Sequence, residues 1–298
     1  MTKKTEVVVG VIISASFLFF IVIALITFLG MSSGDSLSLT GLGNKVAIVD
    51  IYGSIDTPSD IVRQIKKYSK DSSVPVILLH IDSPGGVVAP TQEIYQELLK
   101  AKKKNKKVVA SMGALAASGA YYVACAADTI VADPGTVTGS IGVIMSYPVI
   151  EKLFKKIGVD YEVIKSSEFK DIGSPYRSTT PRDRQSLQEA IDDVYEQFVD
   201  AVVEGRGLSR KEALKIADGR IFSGRQAKEL GLVDELGGFE DAIKIAGEMA
   251  GIKGEPRTIK EVRKTRITLW DLLTQKLNPF SKMDYGDLLY PKLEYIYR

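Results

Sequence analysis

The first apolar feature of the chain is a run of 24 residues without a charge, Val7 to Gly30. A bilayer core of about 30 Å takes roughly 20 apolar residues as a helix, so this run is long enough to cross one. Lys3 and Lys4 precede it, and positive flanks stay on the cytoplasmic side, so the bulk of the chain is expected outside. A cleaved signal peptide carries only about 7–15 apolar residues. The run is therefore read as a retained anchor within residues 1–30, although Ser32, Ser33 and Gly34 would suit cleavage. Residues 31–44 (MSSGDSLSLTGLGN) are rich in Ser and Gly and read as a tether.

From Lys45 to about Gly254 strand-like and helix-like stretches alternate. VAIVDI (46–51), PVILLHI (75–81), KVVASM (107–112), TIVAD (129–133) and YEVIK (161–165) read as strands, several apolar enough to be buried on both faces. Helical spacing covers 61–68, 91–103, 116–127, 148–157, 181–204, 209–216, 223–230 and 239–250. Thr180 is the expected N-cap of the longest helix, with Pro181 at its first position. This alternation predicts one α/β domain over 45–254 with a mostly parallel sheet. The remaining tail, 255–298, lacks long periodicity but carries Trp270, Phe280, Tyr285, Tyr290, Tyr295 and Tyr297. It reads as a strap packed on the domain, with a membrane-facing or subunit-linking segment as the alternative.

Composition narrows the chemistry. With 39 Lys+Arg against 37 Asp+Glu the net charge is +2, which argues against a nucleic-acid partner. One Cys excludes a disulfide framework and a Cys-based zinc cage. One His excludes multi-histidine metal sites and leaves only His80 as the base of any Ser-His-Asp arrangement.

Ser118 lies in GALAASGAYY (113–122), where a strand leads into an Ala-rich helix. Backbone N–H groups at a helix start can stabilise an oxyanion beside that hydroxyl, although a plain N-cap serine fits too. DSPGG (82–86) ends a buried strand, and its glycines let backbone approach a ligand or simply turn. A serine needs a base. Lysine or a carboxylate could serve; Lys170 in KSSEFKDIGSP (165–175) is one candidate, with Lys165 and His80 as rivals, and a lysine serves near neutrality only when desolvated. Cys125 reads as a small buried hydrophobe, Asp82 as support for the glycine turn and Asp128 as a helix end.

LLHIDSPGG, SMGALAASGAYYVACAAD, TGSIGVIM, KSSEFKDIGSP and DGRIFSGRQAKELGLVDELGG follow in one order and spacing. Together they resemble the signal peptide peptidase A (SppA) family in its short membrane-anchored form, over roughly Val46 to Gly251. The resemblance implies a ClpP/crotonase-like fold and a Ser/Lys dyad without metal or cofactor. It puts the nucleophile on Ser118, the general base on Lys170, the lysine-orienting hydroxyl on Ser140 and the oxyanion donors at Gly86 and Gly119. Ala120 and His80 depart from the common pattern without touching the dyad. The resemblance further implies a serine endopeptidase cutting apolar peptides, most readily signal-peptide remnants. It would be held in the cell membrane through residues 7–30 and assemble as a homo-oligomer, with a base from a neighbouring subunit conceivable. Stomatin-associated proteases share a similar core and would process a specific membrane protein instead. An acyl-CoA binder of crotonase type and a non-catalytic scaffold are the more distant readings.

Overall fold

The computed structural model describes residues 16–21, 44–261 and 292–297. Residues 16–21 are helical and belong to a unit, 1–43, separate from the unit that starts at Asn44. Among the described residues no helix is long and apolar enough to cross a membrane. Most of the expected span at 7–30 lies outside them, as do Trp270, Phe280, Tyr285 and Tyr290.

The second unit begins with β1 (Val46–Tyr52), α1 (Ser59–Lys70), β2 (Val76–Ser83), β3 (Gly85–Val87) and α2 (Val88–Lys103). It continues through β4 (Lys107–Ala117), α3 (Gly119–Ala124), β5 (Thr129–Ala132), β6 (Val137–Gly139) and β7 (Ile144–Ser146). Then come α4 (Glu151–Lys156), a 3-10 turn (Glu168–Asp171), α5 (Pro181–Arg206), α6 (Arg210–Ile216), β8 (Ile221–Ser223) and α7 (Gly224–Glu229). β9 (Glu235–Leu236), α8 (Phe239–Met249), β10 (Thr258–Lys260) and β11 (Lys292–Ile296) complete it.

The main sheet runs β10-β1-β2-β4-β5-β9, every neighbouring pair parallel. β6 joins β4 in parallel and β8 joins β6 antiparallel. Side chains alternate across the strands. Ala47, Val49, Ile51, Ile77, Leu79 and Ile81 face the larger core, shared with α1, α2, α3 and α5. Val46, Ile48, Val76 and Leu78 face α8. Burial on both faces explains why these strands read as unbroken apolar runs. β10 extends the sheet beyond the expected boundary at 254. Thr180 caps α5 through a reciprocal box with Asp183.

Three local expectations change. The helix expected from Ala116 starts at Gly119, because Leu115, Ala116 and Ala117 pair with Val137, Thr138 and Gly139 and lengthen β4. Alanine suits a tightly flanked strand as well as a helix, so pairing decides. The helix expected over 148–157 is confined to Glu151–Lys156. The strand expected at 161–165 does not form: every residue from 155 to 170 is exposed, and no strand among the described residues pairs with it.

α5 crosses the end of α3 closely. A Cβ on Gly205 would stand 2.1 Å from the Cys125 carbonyl oxygen. Gly205→Ala is therefore expected to lower stability by about 2 kcal/mol despite alanine's better helix propensity, checked by chemical denaturation.

Candidate active site

Ser118 occupies the single residue between β4 and α3, at φ 53° and ψ −118°. A side chain seldom tolerates this backbone, and holding it there costs on the order of 1–3 kcal/mol. Two hydrogen bonds fix the kink: the Ser118 amide donates to Gly139 O at 2.8 Å, and the Tyr122 amide donates to Ser118 O at 2.9 Å. Pairing of Ala117 with Gly139 sets Ser140 at the matching position just past β6, also at positive φ (51°). Both serines are buried yet line one cleft of about 420 Å³, walled by Ile141, Val143, Ile144 and Ile191.

The glycines of DSPGG form strand rather than a simple turn. Ile55 binds one edge of β3: its amide donates to Gly85 O at 2.9 Å, and its carbonyl accepts from Val87 N at 3.0 Å. The other edge faces β11, which lies antiparallel between β3 and β7. Tyr295 stands opposite Gly86, and the Tyr297 amide donates to Pro84 O at 2.8 Å. By the alternation of an antiparallel ladder, Gly86 and Tyr295 form the next hydrogen-bonded pair. The Tyr295 carbonyl is crowded against both glycine segments. A Cβ on Gly85 would meet it at 2.1 Å and the Gly119 nitrogen at 2.5 Å; a Cβ on Gly119 would meet it at 2.9 Å. Gly85 also has φ 94°. These positions need glycine because three backbones converge there.

Tyr295 is wholly buried. Its ring stacks on Tyr122 at 5.2 Å and packs against Phe198 at 4.8 Å, and its hydroxyl donates to Val194 O at 2.9 Å. Ile296 lines the Ser118 cleft. The sequence singles out the tail aromatics without placing them at the site. The alternation Leu293, Tyr295, Tyr297 is a strand period and was the available signal.

Lys170 does not join this group within one chain. It is exposed and does not line the Ser118 cleft, and its ammonium makes no hydrogen bond or ion pair among the described residues. Lys165 is engaged instead, donating to Glu168 O at 2.9 Å and Asp171 Oδ1 at 2.7 Å. His80 sits outside the cleft, stacked on Phe239 at 4.0 Å, with Tyr52 Oη 2.6 Å from its Nδ1. Burial lowers its pKa, which favours the neutral ring. Cys125 is buried, and burial pushes its thiol up to about 12, so no thiolate is available near neutral pH. Asp82 accepts from Leu115 N at 3.1 Å beside the glycine strand, and Asp128 accepts from Val108 N at 2.8 Å.

A family model described as Peptidase family S49 matches residues 100–253, and one described as Clp protease matches residues 38–133. A Synechocystis protein bearing a protease name is 44% identical over 72% of this chain and 77% of its own. The chain belongs to peptidase family S49. A protease-named protein of Methanocaldococcus jannaschii is 40% identical, covering 74% of this chain and 75% of that one. An Enterococcus faecium protein named for signal peptide peptidase SppA is 38% identical over 62% of this chain and 54% of that one. The SppA resemblance is thus supported, and the chain is a serine peptidase on an α/β fold consistent with ClpP.

Proposed function

We propose that this S49 member is a membrane-anchored endopeptidase that cuts extended apolar peptides, with cleaved signal peptides as the fitting substrate class. The observation that carries this reading is β11. An extended segment already lies antiparallel on the glycine strand, its Tyr295 carbonyl wedged between Gly85 and Gly119 and its next residue in the Ser118 cleft. A substrate strand in the same groove gains ladder hydrogen bonds whatever its sequence, and apolar walls select its side chains.

Chemistry follows from that placement. Ser118 Oγ attacks the scissile carbonyl carbon, and a neutral Lys170 amine takes the hydroxyl proton. The oxyanion is held by amides at Gly86, which stands opposite Tyr295 on the ladder, and at Gly119, which crowds the Tyr295 carbonyl. The lysine ammonium, oriented by Ser140, then gives its proton to the leaving amine. Water, deprotonated by the same lysine, then attacks the acyl carbon, and the lysine returns that proton to Ser118 Oγ as the acyl–oxygen bond breaks and the acid product leaves. Residues 7–30 would hold the enzyme at the bilayer with its peptidase domain outside the cytoplasm.

Lys170 is assigned to the Ser118 of a second copy. Two observations favour this: Lys170 is exposed away from its own cleft, and its segment displays Leu153, Ile157, Tyr161 and Ile164 to solvent, Ile164 at 96%. Burial of that face would also supply the desolvation the lysine needs. Ser118→Ala and Lys170→Ala are each expected to be inactive against a fluorogenic apolar peptide. Dissociated and reassembled at equal amounts, the two full-length variants should regain about a quarter of wild-type activity, since random mixing pairs an intact serine with an intact lysine at that frequency. Activity staying at zero in mixed assemblies would sink the shared site, and an active Lys170→Ala would sink the dyad.

A further inference from the structure

In the turn that carries Lys170, the side chains of Glu168, Phe169 and Asp171 are all engaged, and among the described residues only the lysine ammonium is not. Glu168 is paired with Arg182 at 2.6 Å, and the same guanidinium lies 5.4 Å from the centre of the Phe169 ring. Lys165 bridges the Glu168 carbonyl and Asp171. Asp171 is also held by Arg177 at 2.9 Å, and Arg177 is anchored in turn on both carboxylate oxygens of Asp183. Asp183 is 1% exposed and belongs to the reciprocal cap of α5, where its Oδ2 accepts from the Thr180 amide at 3.0 Å. The chain of contacts therefore runs from the rigid start of a long helix, through one planar guanidinium, to the residue next to Lys170. A guanidinium fork fixes geometry as well as charge, which an ammonium does not.

We infer that Arg177 and Lys165 are positioning residues that act through Asp171 to hold the Lys170 turn in the shape that delivers the base. Lys165, which the sequence left as a rival base, is on this view part of the mount: its ammonium is committed to Asp171 and a carbonyl. The inference rests on the reading of Lys170 as the base. It makes a separate demand, because a lysine on a loose turn still binds substrate in the groove but reaches the serine with poor geometry, and a misplacement of about 1 Å costs on the order of 100-fold in rate.

The experiment measures kcat and KM of full-length Arg177→Met, Arg177→Lys, Lys165→Met and Lys170→Ala on one apolar fluorogenic peptide, with thermal melts alongside. Arg177→Met is expected to lose on the order of 100-fold in kcat, with KM within about threefold of wild type. Added guanidinium ion should restore part of that loss. Arg177→Lys should fall between, keeping the charge without the fork. A folded Arg177→Met with wild-type kcat beside an inactive Lys170→Ala overturns the inference and leaves the dyad standing. A loss that neither guanidinium nor Arg177→Lys relieves marks a merely structural residue and overturns it too. Should Arg177→Met fail to fold, Lys165→Met decides by the same split, since that side chain is partly exposed and caps no helix. An active Lys170→Ala removes the underlying reading instead.

Discussion

Ser118→Ala is expected to lower turnover of an apolar peptide by at least about 1,000-fold, and Ser118→Gly to do the same while making the protein more stable. The two variants separate chemistry from strain. Both lack the hydroxyl, so both lose the nucleophile. Only glycine is at ease at φ 53° and ψ −118°, where a Cβ carries a penalty of about 1–3 kcal/mol. Glycine's extra unfolded-state entropy offsets roughly 0.5–1 kcal/mol of that gain. A net of about 1 kcal/mol corresponds to some 2–4 °C in the melting temperature of a domain this size. Ser118→Ala, which keeps the Cβ, should melt near wild type. Were Ser118→Gly no more stable than Ser118→Ala, the kink would be relaxed rather than strained. Were either to keep activity, the nucleophile would be another group, and Ser140, the other serine lining the cleft, would be tested next.

How far the sequence reached follows from which forces set each element. Strands buried on both faces announce themselves by unbroken apolar runs, so β1, β2, β4 and β5 and their parallel order were legible. The capping box of α5 was half legible from Thr180 and Pro181. Segments with no intrinsic preference were not. The Ala-rich stretch around Ser118 becomes strand up to Ala117 only because Gly139 and its neighbours pair with it. YEVIK has strand composition but pairs with no strand among the described residues, and composition cannot supply one. Ser118 and the glycine pair were recognisable from motif order. Their meeting with Tyr295 was not, since it joins segments some 200 residues apart through ladder geometry rather than any local pattern.

Ending the chain at residue 291 should raise kcat/KM for a short apolar peptide by about tenfold while lowering thermal stability. β11 belongs to the same chain as the groove it fills, so its binding is intramolecular, with an effective concentration taken as about 1 mM. For a strap segment of about 0.1 mM intrinsic affinity, the groove is then filled roughly ten times as often as it is free, and a free peptide must compete with that. Removing the strap relieves that competition, but it also uncovers Tyr122 and Phe198, which pack on Tyr295. Loss of a wholly buried aromatic ring costs about 3–5 kcal/mol where the surroundings cannot collapse. Tyr295→Ala in the full chain should therefore show both effects in milder form, with KM falling while kcat holds. The sign of the activity change separates two roles. A strap that is only part of the core would take activity down together with the melting temperature. A strap that also fills the substrate groove makes a less stable protein the faster peptidase, and a synthetic peptide of sequence LEYIYR added back to the shortened chain should inhibit it competitively.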